Sequence, residues 1–373
     1  MSARDTQRVI LISGHYLQSE GPGSYHHLAT VYWELGWDVT FVTAAISRLS
    51  RWRGDSRFEY PIFEEANQFV TVRERLRSFV LLTWTHPGKL PTALANRLAA
   101  PWFRRYAHSP LGPLAEALRD ADLIIFEGTA VLLLVERIRD IAPHARLVYR
   151  VSDDLRRLRV HPVIIEAEQR ALPLFDLVSA YTPEAAQRLV PFRPVEVHPP
   201  GVDKAEFDRK TSSPYGEMPS AVFVGASPLA FDPDTMALAA DLAPHVDFHV
   251  IGQTARAFSA PNVTFHEEMP FESAVPYMQH ATMGLYFASP HHGPLGESNI
   301  VAEYSYCRLP IVAPSDLDVG RPNVCLYERG DPPSLRRALA DAERMPHDPA
   351  FADGVLSTQE LAIALAGDSL SVR

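Results

Sequence analysis

The chain has 373 residues, enough for two domains of ordinary size and too many for one small module. Hydrophobic residues make up 46% and charged residues 21%, the balance of a globular protein, which excludes a disordered or fibrous chain. The formal net charge of -10 is uneven: residues 1–199 carry 24 basic against 22 acidic side chains, and residues 200–373 carry 11 against 23. An acidic total excludes general nucleic-acid binding, which needs a broad basic face. Two cysteines, Cys307 and Cys325, are too few for a disulfide framework or a four-ligand zinc site and suit a reducing compartment. No apolar run approaches the ~20 residues that span a bilayer, and the first residues do not resemble a signal peptide. The expectation is a cytoplasmic protein whose contact with the inner face of the plasma membrane is peripheral.

Short apolar, β-branched runs alternate with amphipathic segments of helical period, the pattern of parallel sheets with crossover helices. In chain order the predicted strands are Val9–Ser13, Asp38–Thr43, Phe79–Thr83, Asp122–Phe126, Arg146–Tyr149 and Leu177–Ala180. A second set follows at Ala221–Val224, Asp247–Ile251, Val263–Phe265, Met283–Phe287 and Leu309–Ala313. Together they predict two Rossmann-like, doubly wound α/β domains. Between the two sets, residues 190–203 are dense in proline, which stiffens a connection and cannot donate to a central ladder. The boundary is therefore placed between an N-terminal domain, 1–199, and a C-terminal domain, 200–373. A weak helical pattern at Thr358 to Ala366 is expected to return and brace the first domain. Open parallel sheets bind ligands beyond the carboxyl ends of their strands, so facing domains predict a site in a cleft, read from the post-strand loops.

The first post-strand loop runs from Ser13 through His15 to His27, with glycines spread over Gly14, Gly21 and Gly23. That spacing is not the compact G-x-G-x-x-G of a dinucleotide site. The loop can admit an anion at a helix mouth, or it is ordinary, with His26 and His27 capping or packing; His15 is expected on the acceptor or membrane side. After the second strand, Arg48, Arg51, Trp52, Arg53 and Arg57 place four arginines and an indole within eleven residues. Guanidinium forks match phosphate and the indole suits a lipid interface, so this segment reads as an acceptor-side or membrane-side surface, or as a solvated basic face. Asp153 and Asp154 end a buried strand. A carboxylate there can take a proton from a hydroxyl nucleophile, or simply cap the next helix.

The most informative segment lies between Gly293 and Pro314. A glycine-bearing loop leads through Ser298 and Asn299 into a helix carrying Glu303 one turn in, followed by a strand. Free N–H groups at such a helix start suit a diphosphate, and a glutamate there can accept two ribose hydroxyls. The Asp232–Asp234 and Asp316–Asp318 pairs imitate a metal-binding D-x-D but suit caps and turns, and the fifteen histidines show no ligand spacing, so no metal and no cofactor beyond the substrate are expected. His291 and His292 are loop residues without an assigned purpose.

Residues 295–313 resemble the donor segment of two-domain GT-B glycosyltransferases, and His198 to Asp203 resembles their linker. A narrower resemblance, to the GumK family of xanthan-pathway β-glucuronosyltransferases, rests on Arg48 to Asp55, Thr85-His86-Pro87, Ile125 to Gly128, Leu147 to Asp153, Gly201-Val202-Asp203 and Phe231-Asp232-Pro233. These blocks occur in the family's order over roughly residues 9–330. The resemblance implies an inverting transfer of glucuronate from UDP-glucuronate to a polyprenyl-diphosphate-linked oligosaccharide or related glycolipid in exopolysaccharide synthesis. It makes Asp153 the general base, Glu268 and Glu303 donor-site carboxylates, and Phe287, Ser298 and Asn299 donor-side neighbours. The chain departs from the family where Asn299-Ile300 replaces Met-Lys and Phe287 replaces tyrosine, which bears on the donor sugar. The first loop also lacks the family's arginines, which bears on the acceptor. Two other readings remain: a nucleotide-sugar epimerase of the same fold, and a sugar-nucleotide-binding module without catalysis.

Overall fold

The computed structural model describes residues 6–19, 23–152, 154–156, 158, 160–225, 231–252, 258–267, 269–288, 299–317 and 320–367. The described residues form two compact units: residues up to His198 together with those from Gln359 onward, and residues Pro199–Thr358.

The first unit holds an eight-stranded sheet built from β1 (Arg8–Ser13), β2 (Asp38–Ser47), β3 (Phe69–Arg73), β4 (Leu76–Thr83), β5 (Leu123–Glu127), β6 (Arg146–Val151), β7 (Leu177–Ala180) and β8 (Glu196–Val197). Its order is β3-β4-β2-β1-β5-β6-β7-β8, with all neighbours parallel except β3 against β4. The central strands are apolar throughout because helices cover both faces. Along β1 the alternation sends Ile10 and Ile12 into one core with Val42, Phe79 and Phe126, and Val9 and Leu11 into another with Val39, Phe41 and Tyr32. The second core is closed by two helices from opposite ends of the chain, Ser24–Glu34 and Thr358–Ala366. Leu361, Ala362, Leu365 and Ala366 are buried there, Tyr32 donates to the Ala362 carbonyl at 2.8 Å, and Arg146 donates to the Leu365 carbonyl at 3.1 Å.

The second unit holds a six-stranded, wholly parallel sheet made of β9 (Ser220–Gly225), β10 (Asp247–Gly252), β11 (Val263–Phe265), β12 (Met283–Leu285), β13 (Ile311–Pro314) and β14 (Val324–Tyr327). The order is β11-β10-β9-β12-β13-β14. Its helices pack on both faces, with Phe223, Phe248, Leu285 and Phe287 in one core and Val222, Tyr304 and Ile311 in the other.

The sequence reading leaves out three strands. Edge strand β3 has no buried residue, β8 is a two-residue exposed pair, and β14 is a four-residue edge, so none presents the continuous apolar run that marks the others. In each unit the parallel ladders bring the carboxyl ends of neighbouring strands to one edge, from which the ligand-facing loops leave.

Candidate active site

In the first unit the edge formed by β1, β5 and β2 concentrates ionisable groups. Glu127 is the last residue of β5, after four fully buried apolar residues. One of its carboxylate oxygens accepts from the Gly14 N–H at 2.6 Å and from the Ser13 hydroxyl at 2.9 Å. The other lies 3.6 Å from Nε2 of His15, whose side chain is 58% exposed. Burial pushes the Glu127 carboxyl up, but the His15 hydrogen bond and charge, with the Gly14 and Ser13 donors, outweigh it and hold the group below the usual glutamate range. Reciprocally, the Glu127 carboxylate at 3.6 Å pushes His15 above the ordinary histidine value, against burial and the Arg57 charge.

Arg57 builds the floor beside this pair. Its guanidinium donates to the carbonyls of Gly14 at 2.6 Å and Ala45 at 3.1 Å and pairs with Asp55 at 2.7 Å. Ser47 caps the short helix Arg48–Trp52 that follows β2. Ser47, Leu49, Ser50, Arg53, Asp55 and His86 line a cavity of about 290 Å³. His86 bonds Ser47 at 3.0 Å, and burial with the Arg57 charge pushes it down to about 4, so it is neutral at physiological pH.

Beyond the cavity the surface becomes apolar and basic. The Arg48 guanidinium stacks over Trp84 at 5.0 Å, and Arg51 lies over Phe63 at 4.9 Å. Trp52 is 86% exposed and Trp84 76%, while Leu94, Leu98 and Trp102 are exposed on the helix Ala93–Arg104. The Trp102 indole donates to the Thr85 hydroxyl at 3.1 Å, joining that helix to Trp84. Among the described residues no helix is long and apolar enough to cross a membrane.

In the second unit the helix Asn299–Tyr306 begins where a donor site is expected. Glu303 is half-buried, and desolvation alone pushes its carboxyl up to about 7. The helix is pinned by Tyr304, whose hydroxyl donates to the Val222 carbonyl at 3.0 Å and accepts from the Val224 N–H at 3.1 Å. A Cβ on Gly284 would stand 2.4 Å from the Tyr304 ring, so glycine there lets the helix approach β12. Asn299 is the first described residue of the helix and is half-buried. Phe287 is placed in the apolar core, fully buried and edge-on to Tyr327 at 5.8 Å, so its ring supports the strand end without reaching a ligand surface. Asp153, Glu268 and Ser298, and likewise His291 and His292, lie outside the described residues.

The sequence reading passes over two features. Glu127 is not singled out as a site residue, although a carboxylate closing a wholly apolar strand at its carboxyl end is a usable signal. Glu168, fully buried, accepts from the Tyr149 hydroxyl at 2.7 Å and from Arg188 at 2.9 Å, and Arg188 also lies 3.3 Å from Asp154. This network anchors the segment after β6. Of the two aspartate pairs, Asp232 caps the helix Pro233–Leu242 and Asp316 pairs with Arg329 at 2.9 Å, while Asp318 lies outside the described residues.

Residues 11–181 match the family described as glucuronosyltransferase GumK, N-terminal domain. The UDP-glucuronate:glycolipid 2-beta-glucuronosyltransferase of Xanthomonas campestris pv. campestris is 28% identical over 342 residues, 90% of this chain and 84% of that relative. Among solved structures, sucrose-phosphate synthase from Thermosynechococcus elongatus superposes with a TM-score of 0.60 at 14% identity, over 97% of this chain and 96% of that one. HepE from Anabaena, in complex with UDP and glucose, gives 0.58 at 14% identity over 96% and 94%. At such identities the structural likenesses establish the fold.

Proposed function

We propose that this GumK-like glycosyltransferase of the GT-B fold moves glucuronate from UDP-glucuronate onto a lipid-linked saccharide, inverting the anomeric centre. The observation that carries the reading is the similarity to a UDP-glucuronate:glycolipid glucuronosyltransferase over 90% of the chain. Glu303, with its raised pKa one turn into the helix, supports it, because desolvated carboxylates cluster at functional sites. No observation favours the epimerase or the lapsed binding module.

In this reading the second unit holds the donor. Glu303 accepts the ribose hydroxyls, Glu268 faces the sugar, and N–H groups about Ser298 and Asn299 receive the diphosphate. The first unit holds the acceptor. Asp153 is the general base at its hydroxyl, whose oxygen attacks the anomeric carbon as the bond to UDP breaks. The step is proposed to need no metal, the leaving diphosphate being stabilised by N–H groups and cations. Trp52, Trp84 and Trp102 with Arg48, Arg51 and Arg53 are the face set against anionic lipid, where an undecorated glycolipid would be met.

The test is transfer from UDP-glucuronate to a polyprenyl-diphosphate oligosaccharide, with Asp153→Asn alongside. The variant should still bind UDP while turnover falls ~100-fold or more, the scale of a lost general base. Undiminished turnover removes the base, and transfer only from other UDP-sugars removes glucuronate as the donor.

A further inference from the structure

The first unit carries a cavity of about 580 Å³ to which the transferase reading gives no part. Strands β1, β2 and β4 run parallel, and Arg8, Asp38 and Leu76 stand at their amino ends. The cavity is lined by these three residues, so it lies at the opposite end of the strands from Glu127 and from the loops that leave the carboxyl edge. Its size is that of a small-molecule site, for which about 300–1,000 Å³ is usual.

Four arginines line the cavity, Arg8, Arg73, Arg75 and Arg77, against three carboxylates, Asp38, Glu116 and Asp120. Arg8 is already engaged, since it pairs with Asp120 at 2.9 Å and approaches Asp38 at 4.0 Å. Among the lining residues that leaves three guanidinium groups facing the Glu116 carboxylate. Arg77 is half-buried; it donates to the Thr40 hydroxyl at 2.9 Å, lies over the Phe69 ring at 4.0 Å and, among the described residues, makes no ion pair. Burial and the Arg8 charge hold it below the ordinary arginine value, and Asp38 offsets only part of that. A partly desolvated cation beside a second cation is stabilised when an anion enters, because the anion's charge replaces the lost hydration.

The turn between β3 and β4, which carries Arg73 and Arg75, is held in place. The Trp33 indole donates to the Glu74 carbonyl at 2.7 Å, the Val39 N–H donates to the Arg75 carbonyl at 2.8 Å, and the Arg73 guanidinium lies over the Trp33 ring at 3.7 Å. Guanidinium forks on a fixed backbone lose less freedom on binding, and their paired N–H groups match phosphate oxygens. We propose that this cavity binds a small phosphorylated metabolite, with the half-buried Arg77 as its anchor and the exposed Arg73 and Arg75 closing on the phosphate. The excess of guanidinium over carboxylate suits a phosphate dianion or a diphosphate, and the volume suits one esterified to a sugar or a body of similar size. The site belongs to the first unit and stands whether or not the transferase reading does.

The experiment is calorimetric titration of the full-length chain with glucose 1-phosphate, inorganic pyrophosphate and, as a control, inorganic sulfate, at ~50 mM salt. Glucose 1-phosphate or pyrophosphate should bind with a Kd below ~1 mM and more tightly than sulfate. Preference for glucose 1-phosphate supports a phosphorylated sugar as the ligand, and preference for pyrophosphate supports a diphosphate. Arg77→Gln and Arg75→Gln should each weaken that binding ~10-fold or more, the scale of a lost charge-assisted contact. Glu116→Gln removes the opposing carboxylate and should tighten it several-fold, and salt raised to ~0.5 M should weaken it in every form. Melting temperature reports whether each variant is folded; if Arg77→Gln melts early, the exposed Arg75 and Glu116 positions decide the matter alone. The site is overturned if neither phosphate probe saturates, if neither binds more tightly than sulfate, or if Arg75→Gln and Glu116→Gln both leave the affinity at the wild-type value.

Discussion

Glu303 carries opposite demands in its one carboxyl. Desolvation pushes it to about 7, so in the folded chain it stays protonated through a range where the unfolded chain is ionised. Below pH 4.5 both states hold the proton and the side chain costs nothing; as pH rises towards 7, stability falls by up to about 3 kcal/mol. Glu303→Gln should therefore melt several degrees higher than wild type at pH ~8 and converge with it near pH ~4, read by thermal unfolding. If the proposed ribose contact holds, the same substitution should weaken UDP binding ~10-fold or more by calorimetry at pH ~8, where the carboxylate is charged. A variant that gains no stability at alkaline pH would contradict the burial, and one that binds UDP normally would contradict the ribose contact. Glu303 stands out in the sequence because it sits alone on a helix behind a glycine-bearing loop. Glu127 was not, because its partner His15 is 112 positions away and only the non-sequential pairing of β1 with β5 brings them together.

At the scale of elements, β1, β2, β5, β6, β7, β9 and β10 were readable because strands buried on both faces are apolar without interruption. Strands β3, β8 and β14 lie at or next to sheet edges, where half the residues face water and the pattern weakens. The C-terminal helix shows what the chain invests in a remote element. Leu361 and Leu365 are buried on the face of β1 and β2 together with Tyr32 and Phe41. Leu365→Ala should cost about 2–5 kcal/mol by removing a buried side chain whose cavity cannot fully collapse, measured by denaturant unfolding of the full chain. A cost below ~1 kcal/mol would mean that the helix frays away from the sheet at little loss.

At the scale of the whole molecule, the proposed glycolipid transfer would set the first unit, with its exposed tryptophans, against a membrane. Trp52, Trp84 and the arginines beside them offer apolar insertion with cationic attraction. The double variant Trp52→Ala, Trp84→Ala should lower partition onto phosphatidylglycerol vesicles by ~10-fold, with added salt weakening what remains. Equal partition of variant and wild type would assign the docking face elsewhere. By itself the sequence determined the fold class and the paired sheets, because these follow from apolar periodicity, while the transferase reading rests on a family resemblance carried by short local blocks. Only the tertiary structure decided that His15 faces a half-buried Glu127, that Phe287 packs inward, and that the last helix closes a core begun by the first strand. Such facts depend on which distant segments become neighbours, and local pattern carries no record of that.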